Sequence, residues 1–184
     1  MVNVLLTGKR QVGKTTVCSQ VAELARGLSY DPAGVLAPAL LDEDGLPVAY
    51  RALMVSDGEQ RLLARANGDL GGPRTSRYSF DADVFSWVIA RLRGALVQGC
   101  DLLIVDEIGP LELEQGRGLA PLLSDLSVGM LPSLLLVVRP ELAAQLQRRL
   151  SDIPFRTFTV TQENRQALPN AIIKELFADH DRGR

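Results

Sequence analysis

The segment from Gly8 to Thr15 constrains this chain more than any other part of its sequence. It reads Gly-Lys-Arg-Gln-Val-Gly-Lys-Thr, follows a short apolar run that ends at Thr7, and opens a stretch with helical spacing of apolar residues. In a glycine-rich turn between a strand and a helix, successive backbone N–H groups form an anion-binding concavity, and the positive end of the helix dipole adds to the attraction. The sequence therefore predicts a phosphate-binding loop.

Two side chains at the end of the loop have the chemistry needed to bind nucleotide phosphates. The Lys14 ammonium group is placed to reach the β- and γ-phosphates, and the Thr15 hydroxyl is a suitable ligand for Mg²⁺. We therefore expect a nucleoside triphosphate such as ATP or GTP as the ligand and Mg²⁺ as the cofactor. Lys14 is expected to act in catalysis as well as in binding.

A second buried strand ends in two carboxylates. Leu102 to Val105 are apolar, and Asp106 and Glu107 follow directly. A central parallel strand buries its apolar residues and presents the next residues at its carboxyl end, the edge where the phosphate-binding loop also lies. We expect Asp106 to hold Mg²⁺ and Glu107 to orient or deprotonate the attacking water. The alternative is that both acids only solvate a turn.

Strands alternate with helices along most of the chain. The patterns of apolar residues predict strands at 2–7, 102–105, 134–138 and 155–160, helices at 14–26, 84–96, 140–150 and 168–177, and a loop at 67–79. The step Asp44-Gly45 between two extended stretches predicts a β-hairpin insert over 34–55. The expected fold is α/β, in a single domain 1–184, with a mostly parallel central sheet, helices on both faces and a frayed tail at 179–184.

The composition argues against several other kinds of site. The net charge is −2, whereas a protein that holds nucleic acid through its phosphates usually carries a basic surplus. Cys18 and Cys100 are the two cysteines and there is one histidine, so ligands for a transition metal are few. No apolar segment has the length of a membrane span. We expect a cytoplasmic protein with reduced thiols that binds neither nucleic acid nor a membrane, and a protein partner stays open.

Two further stretches of the chain resemble a known family. Residues 106–113 read Asp-Glu-Ile-Gly-Pro-Leu-Glu-Leu, close to the family pattern Asp-Glu-Ile-Gly-x-x-Glu-Leu. Residues 160–165 read Val-Thr-Gln-Glu-Asn-Arg and match Val-Thr-x-Glu-Asn-Arg. Together with the phosphate-binding loop, these stretches resemble the small cancer-related nucleoside-triphosphatase family, whose members are stand-alone enzymes also found in thermophiles.

The resemblance implies slow hydrolysis of ATP, GTP and other nucleotides to the diphosphate and phosphate, with little base preference. It also implies a β-hairpin after the first helix, and it places residues 161–165 by the nucleoside, where Arg165 would stack on a base without selecting it. The alternative is that Asn164 and Arg165 only cap the terminal helix. The residues expected to contact the nucleotide are Gly8, Lys9, Arg10, Gln11, Val12, Gly13, Lys14, Thr15, Thr16, Asn164 and Arg165.

The loop departs from the family pattern at one place. The family usually has Pro-Gly inside the loop, whereas this chain has Lys9-Arg10-Gln11. Glutamine disfavours positive φ, so the loss of that glycine bears on the path of the loop backbone. The two extra cations are placed to strengthen phosphate binding or to contact a partner.

Three arginines and one more acid are weaker candidates for the site. Arg139 follows the strand 134–138 and is a candidate to stabilise charge on the γ-phosphate, and Arg74 and Arg77 are candidates to swing in from their loop. Glu112 is a candidate to support the catalytic carboxylates without contacting the nucleotide itself.

Two other functions remain open at this point. The glycine-rich stretch 67–79 with its arginines would also suit the acceptor lid of a kinase that phosphorylates a small molecule or nucleoside. A nucleotide-dependent adaptor with little basal turnover would instead use the hairpin, or Lys9 and Arg10, to contact a protein partner. Transfer of phosphate to an acceptor, or turnover that rises only with a partner, would distinguish these from simple hydrolysis.

Overall fold

The computed structural model of the chain describes residues 2–126 and 131–178, and the predicted tail at 179–184 lies outside the described residues. Strands alternate with helices except between α1 and α2, where five strands follow one another, and between β7 and β8, where two short helices do. In chain order the elements are β1 (Asn3–Thr7), α1 (Lys14–Gly27), β2 (Pro32–Leu36), β3 (Ala39–Leu41), β4 (Pro47–Met54), β5 (Gln60–Arg65), β6 (Ser79–Phe80), α2 (Ala82–Gln98), β7 (Leu102–Ile108), α3 (Pro110–Leu113), α4 (Ala120–Asp125), β8 (Ser133–Val138), α5 (Pro140–Arg149), β9 (Phe155–Thr159) and α6 (Leu168–Phe177).

Within the described residues, nine strands form one sheet in the order β6-β5-β4-β2-β7-β8-β1-β9, and β3 pairs with β4. The strands β2, β7, β8, β1 and β9 are mutually parallel. The remaining strands, β3 to β6, pair antiparallel with their neighbours and extend the sheet beyond β2. We call these four strands the antiparallel wing. The sheet is therefore more mixed than the sequence predicted, while its parallel half carries the phosphate-binding loop.

Helices cover both faces of the sheet, and each face has its own hydrophobic core. Leu5 on β1 and Val105 on β7 pack with residues of α2, α4 and α5 on one face. Val4 and Ile104, on the same two strands, pack with residues of α1 and α6 on the other face. Parallel strands that are buried on both faces read as continuous apolar runs, which is why the sequence located them. The predicted α/β fold with helices on both faces is confirmed.

The predicted hairpin exists, but its first half is divided between two parts of the sheet. Gly34–Leu36 belongs to β2, which pairs in parallel with β7 and antiparallel with β4. Only β3 and β4 form the local hairpin, and Asp42 Oδ1 accepts hydrogen bonds from the N–H groups of Asp44 and Leu46 at its turn. Because the Asp42 side chain replaces backbone partners within the turn, it stabilises a short connection between β3 and β4.

Both cysteines are buried free thiols, on opposite faces of the sheet. Cys18 packs with the core that contains α1, and Cys100 packs with the core that contains α2. Burial raises the pKa of both thiols above their ordinary value. None of the helices in the described part of the chain has the length and apolarity needed to cross a membrane.

Candidate functional site

The phosphate-binding loop lies between β1 and α1, at the carboxyl edge of the parallel strands. Gly8 follows the last residue of β1, and a Cβ atom there would lie 2.8 Å from the carbonyl oxygen of Val160, so the close approach of the two backbones requires glycine. Gly13 caps the amino end of α1. Lys9, Arg10 and Gln11 form the exposed crest of the loop.

Lys14 is held inside the loop that it is expected to serve. Its ammonium group donates to the carbonyl oxygens of Gly8 and Lys9, each at 3.0 Å, and the residue is only 6% exposed. A buried ammonium group needs such partners because an unpaired charge is costly to desolvate. The loop is therefore preformed around a cation that is positioned to meet an incoming anion.

Gln11 adopts the left-handed backbone conformation that sequence analysis identified as unfavourable for glutamine. Its φ is 59°, and Ser29 is the other described residue outside glycine with positive φ. A side chain in this region costs about 1–2 kcal/mol because its Cβ crowds the following carbonyl group. The loop backbone at Gln11 thus has a conformation that glycine would adopt without strain, and glutamine is strained there.

We expect the substitution Gln11→Gly to stabilise the nucleotide-free protein by about 0.5–1 kcal/mol, because the relief of strain exceeds the added entropy of a glycine in the unfolded chain. Urea unfolding in the absence of nucleotide measures this change. Arg10→Gly is the matched control, since the φ of Arg10 is not positive and its replacement is expected to lower stability. A fall in stability for Gln11→Gly would show that the conformation at Gln11 is not strained.

Asp106 lies at the buried end of β7, next to the start of α1. It is 3% exposed, its Oδ2 accepts a hydrogen bond from the N–H group of Ala37 at 3.3 Å, and the Thr15 hydroxyl group lies near its carboxyl group. Burial raises the pKa of Asp106 to about 6 and the charge of Glu107 adds to the rise, whereas Thr15, Ala37 and Lys14 oppose it. The structure brings together the two side chains predicted to bind a metal ion.

The donor set around Asp106 suits Mg²⁺. Burial disfavours the charged form of the Asp106 carboxylate, which a divalent cation would stabilise, and a hydroxyl oxygen lies beside it. The described residues contain no group of three or more His, Cys, Asp or Glu side chains placed to hold a metal ion. Mg²⁺ in nucleotide sites needs no such cage, since one or two protein oxygens, phosphate oxygens and water complete its coordination. Thr15 and Asp106 therefore fit this ion.

Glu107 lies between two cations at the same edge. Its Oε1 accepts a hydrogen bond from Arg139 Nε at 2.7 Å, and its Oε2 lies 3.7 Å from the Nζ atom of Lys14. Both Glu107 and Arg139 are about one-quarter exposed, 26% and 25%. Ile108 of β7 pairs with Val138 of β8, which makes the residues next to them neighbours across the sheet edge. The structure thus places Arg139 on Glu107 rather than over the phosphate-binding loop.

The other two candidate arginines are engaged on the antiparallel wing and its loop. Arg74 forms an ion pair with Asp69 at 2.6 Å, and both side chains are mostly exposed. Arg77 donates to the carbonyl oxygen of Pro47 at 3.1 Å and lies over the ring of Tyr78. In this structure neither arginine contacts the phosphate-binding loop.

Asn164 and Arg165 approach the loop from the turn between β9 and α6. Asn164 Oδ1 accepts from the Thr161 N–H at 2.8 Å, and its Nδ2 donates to the Thr159 carbonyl at 2.9 Å, so the amide is used to fix the turn. Arg165 passes over the start of α1, with its Cδ atom 3.6 Å from the position of a Cβ on Gly13. The pocket of about 200 Å³ beneath it is lined by Gly13, Thr16, Val17, Gln20, Arg165 and Gln166.

One residue beside the site escaped sequence analysis. Tyr50 on β4 lies edge to face with Tyr78, with ring centroids 5.2 Å apart. Burial raises the pKa of Tyr50 to about 12, Tyr78 and the charge of Glu107 add to the rise, and the charge of Arg10 opposes it. The wing thus carries an aromatic pair within electrostatic range of Glu107 and Arg10. No local pattern indicates this, because it depends on how β4 joins the sheet.

Comparison with known proteins identifies the family of this chain. A family model described as NTPase matches residues 3–173. The chain is 29% identical over 178 residues to the nucleoside-triphosphatase THEP1 of Methanopyrus kandleri, in an alignment that covers 95% of each chain. It is 28% identical over 176 residues to THEP1 of Thermofilum pendens, which covers 95% of this chain and 94% of the relative.

Two solved structures share the fold. The solution structure of a human cancer-related nucleoside triphosphatase matches with a TM-score of 0.72 and 23% identity, over 97% of this chain and 99% of that protein. The crystal structure of THEP1 from the hyperthermophile Aquifex aeolicus matches with a TM-score of 0.71 and 18% identity, over 95% of this chain and 99% of that protein. The resemblance drawn from the loop and residues 106–113 and 160–165 is confirmed, and with the family model matching residues 3–173 the chain belongs to this NTPase family.

Proposed function

We propose that this chain hydrolyses nucleoside triphosphates to the diphosphate and phosphate, with Mg²⁺ bound and with little preference for the base. Membership of the NTPase family supports hydrolysis, and one geometric observation supports it most directly. The Lys14 ammonium group and the Glu107 carboxylate, 3.7 Å apart, face one another at the edge where the loop opens. A cation for the phosphates and a base for the water thus occupy one site.

Each residue of the site has a distinct task in this proposal. Lys14 and the loop N–H groups bind the phosphates, and Thr15 and Asp106 hold Mg²⁺, which supplies positive charge to the phosphate oxygens when bound. Arg139 occupies Oε1 of Glu107 and orients the carboxylate, which leaves Oε2 to accept a hydrogen bond from the attacking water. The products are the nucleoside diphosphate and inorganic phosphate.

Two observations support slow turnover and broad base preference. The three arginines considered for the γ-phosphate, Arg139, Arg74 and Arg77, all contact other protein groups, and phosphoryl transfer without a neutralising arginine is slow. Arg165 lies over the start of α1, and its planar guanidinium group is able to stack on any base without selecting it. The Asn164 amide makes two hydrogen bonds to the backbone of its own turn, which supports a structural use of this side chain rather than selection of a base.

Phosphate release from ATP, GTP, CTP and UTP, measured with MgCl₂ and with EDTA, tests this function. We expect all four to be hydrolysed at rates within about tenfold of one another, with equal amounts of diphosphate and phosphate and no added acceptor. EDTA is expected to abolish release. Hydrolysis of one nucleotide alone would contradict the broad preference, and full activity in EDTA would contradict the role of Mg²⁺.

A pair of threonine variants makes the metal assignment sharper. Thr15→Val keeps the shape of the side chain and removes its hydroxyl oxygen, so we expect the Mg²⁺ concentration for half-maximal activity to rise by about tenfold. Thr16→Val, at the next and more exposed position, is expected to leave the Mg²⁺ requirement unchanged. Equal effects of the two variants would remove Thr15 from the metal site.

A further inference from the structure

Glu112 is a buried carboxylate that the proposed hydrolysis does not use. It lies in α3, it is 4% exposed, and burial raises its pKa. Its Oε2 accepts a hydrogen bond from the Gly109 N–H at 2.9 Å, and its Oε1 accepts one from the Leu119 N–H at 3.1 Å. One carboxylate therefore joins the end of β7 to the start of α4.

The chain around Glu112 is built to enclose that carboxylate. A Cβ atom on Gly118, whose φ is 59°, would collide with Glu112 Oε1, so only glycine fits there. Across the described ranges, no lysine or arginine forms an ion pair with Glu112. Leaving either bonded N–H without an acceptor would cost its full desolvation, so the position of the segment 109–119 depends on this group.

The segment 109–119 is also connected to both Glu107 and Arg139, the ion pair at the carboxyl edge of the sheet. Gly109 is joined to Glu107 through Ile108, which is fully buried and pairs with Val138. On its other side, the Leu113 carbonyl of α3 accepts a hydrogen bond from Gln145 of α5 at 3.1 Å. Arg139 is the residue that caps the amino end of α5.

We infer that Glu112 is a positioning residue for hydrolysis, which holds Glu107 and Arg139 in register by fixing α3 between the strand and the helix that carry them. This role rests on the proposed hydrolysis and adds to it a residue that does not touch the nucleotide. Its loss moves the carboxylate that meets the water but leaves the phosphate-binding loop in place. The rate of the chemical step therefore changes and the affinity for nucleotide does not.

The substitution Glu112→Gln tests this role, since a glutamine of the same shape accepts only one of the two N–H bonds. We expect kcat to fall by about tenfold or more, because small displacements of catalytic groups are costly, while the nucleotide Kd stays within about threefold. Both are measured at a temperature where circular dichroism shows the variant folded. Glu114→Gln, on an exposed residue of the same segment, is the matched control and is expected to match the parent.

A double variant distinguishes positioning from general support of the fold. In single-turnover reactions, Glu112→Gln added to Glu107→Gln is expected to lower the residual rate by less than about twofold, because both act through one carboxylate. Multiplied losses, or an unchanged kcat in Glu112→Gln, would overturn the inference. If Glu112→Gln does not fold, Gln145→Leu tests the same link: a lowered kcat with unchanged Kd supports it, and parental kcat overturns it. An inactive parent protein would instead refute the hydrolysis itself.

Discussion

Replacing Glu107 with glutamine is expected to lower the turnover of ATP by about 100-fold or more, the usual contribution of a general base. The glutamine side chain has the same size but cannot take a proton from water. Removing a negative charge that lies 3.7 Å from Lys14 Nζ also removes repulsion toward the phosphates. We therefore expect the affinity for nucleotide to stay the same or to increase. Phosphate release and titration with a fluorescent nucleotide measure the two quantities separately.

Two further variants make the result on Glu107 specific. Glu141→Gln removes an exposed negative charge from the first turn of α5 and is expected to keep parental turnover. Arg139→Ala leaves Glu107 charged but without its partner at 2.7 Å, and we expect an intermediate loss of turnover of about tenfold. Parental turnover in Glu107→Gln would remove this residue from the mechanism, and a loss of nucleotide binding would place it among the binding groups instead.

Replacing Lys14 with methionine is expected to weaken nucleotide binding and to lower kcat/KM by about 100-fold or more. Methionine fills the buried space of the lysine stem, so the change removes the charge with little loss of packing. It also leaves the carbonyl oxygens of Gly8 and Lys9 without their donor. Direct nucleotide titration and initial rates at varied ATP and fixed free Mg²⁺ measure the two effects.

Lys9→Met is the matched control for Lys14, because it removes the same charge from the same loop. Lys9 is exposed, and its contribution to phosphate binding is screened by salt. We expect its loss to weaken binding by less than about fivefold at 0.15 M salt. Equal effects of the two substitutions would mean that the loop acts through its summed charge rather than through the position of the Lys14 ammonium group.

The parallel half of the fold could be predicted closely because its signals are local. Helix α6 has the predicted bounds, Leu168–Phe177, and β1 ends at Thr7 as expected. Glycine at position 8 ends the apolar run of β1, and Pro169 lies in the first turn of α6, so each boundary is fixed by backbone chemistry that the sequence shows.

The antiparallel wing could be predicted only in part. The turn at Asp42 was identified, but β5 (Gln60–Arg65) was missed because four of its six residues are exposed and its apolar residues are consecutive, without the alternation of a half-buried strand. β5 is a strand because it pairs with β4, and this pairing forms only in the folded sheet. The first half of the predicted hairpin is divided between β2 and β3 for the same reason, since β2 is defined by its pairing with β7.

The positions of the central candidate residues could be predicted, but not their mutual contacts. Lys14, Asp106 and Glu107 lie where the order of loop and strand placed them. The contact of Arg139 with Glu107 depends on the adjacency of β7 and β8 and on the side-chain conformations of both residues. Neither is encoded in a short stretch of sequence. Tyr50 escaped sequence analysis for a similar reason, because it lies on β4, a strand added at the far side of β2.

The two separate cores on either side of the sheet give the protein two adjustable layers. The layer with α1 and α6 carries Lys14 and lies beside Arg165, the two cations proposed to contact the nucleotide. The opposite layer, with α3 and α5, carries Glu112 and Arg139, which are proposed to position the carboxylate of Glu107. We therefore expect mutations in the first core to act on the binding of nucleotide together with its cleavage, and those in the second core to act mainly on the rate of cleavage.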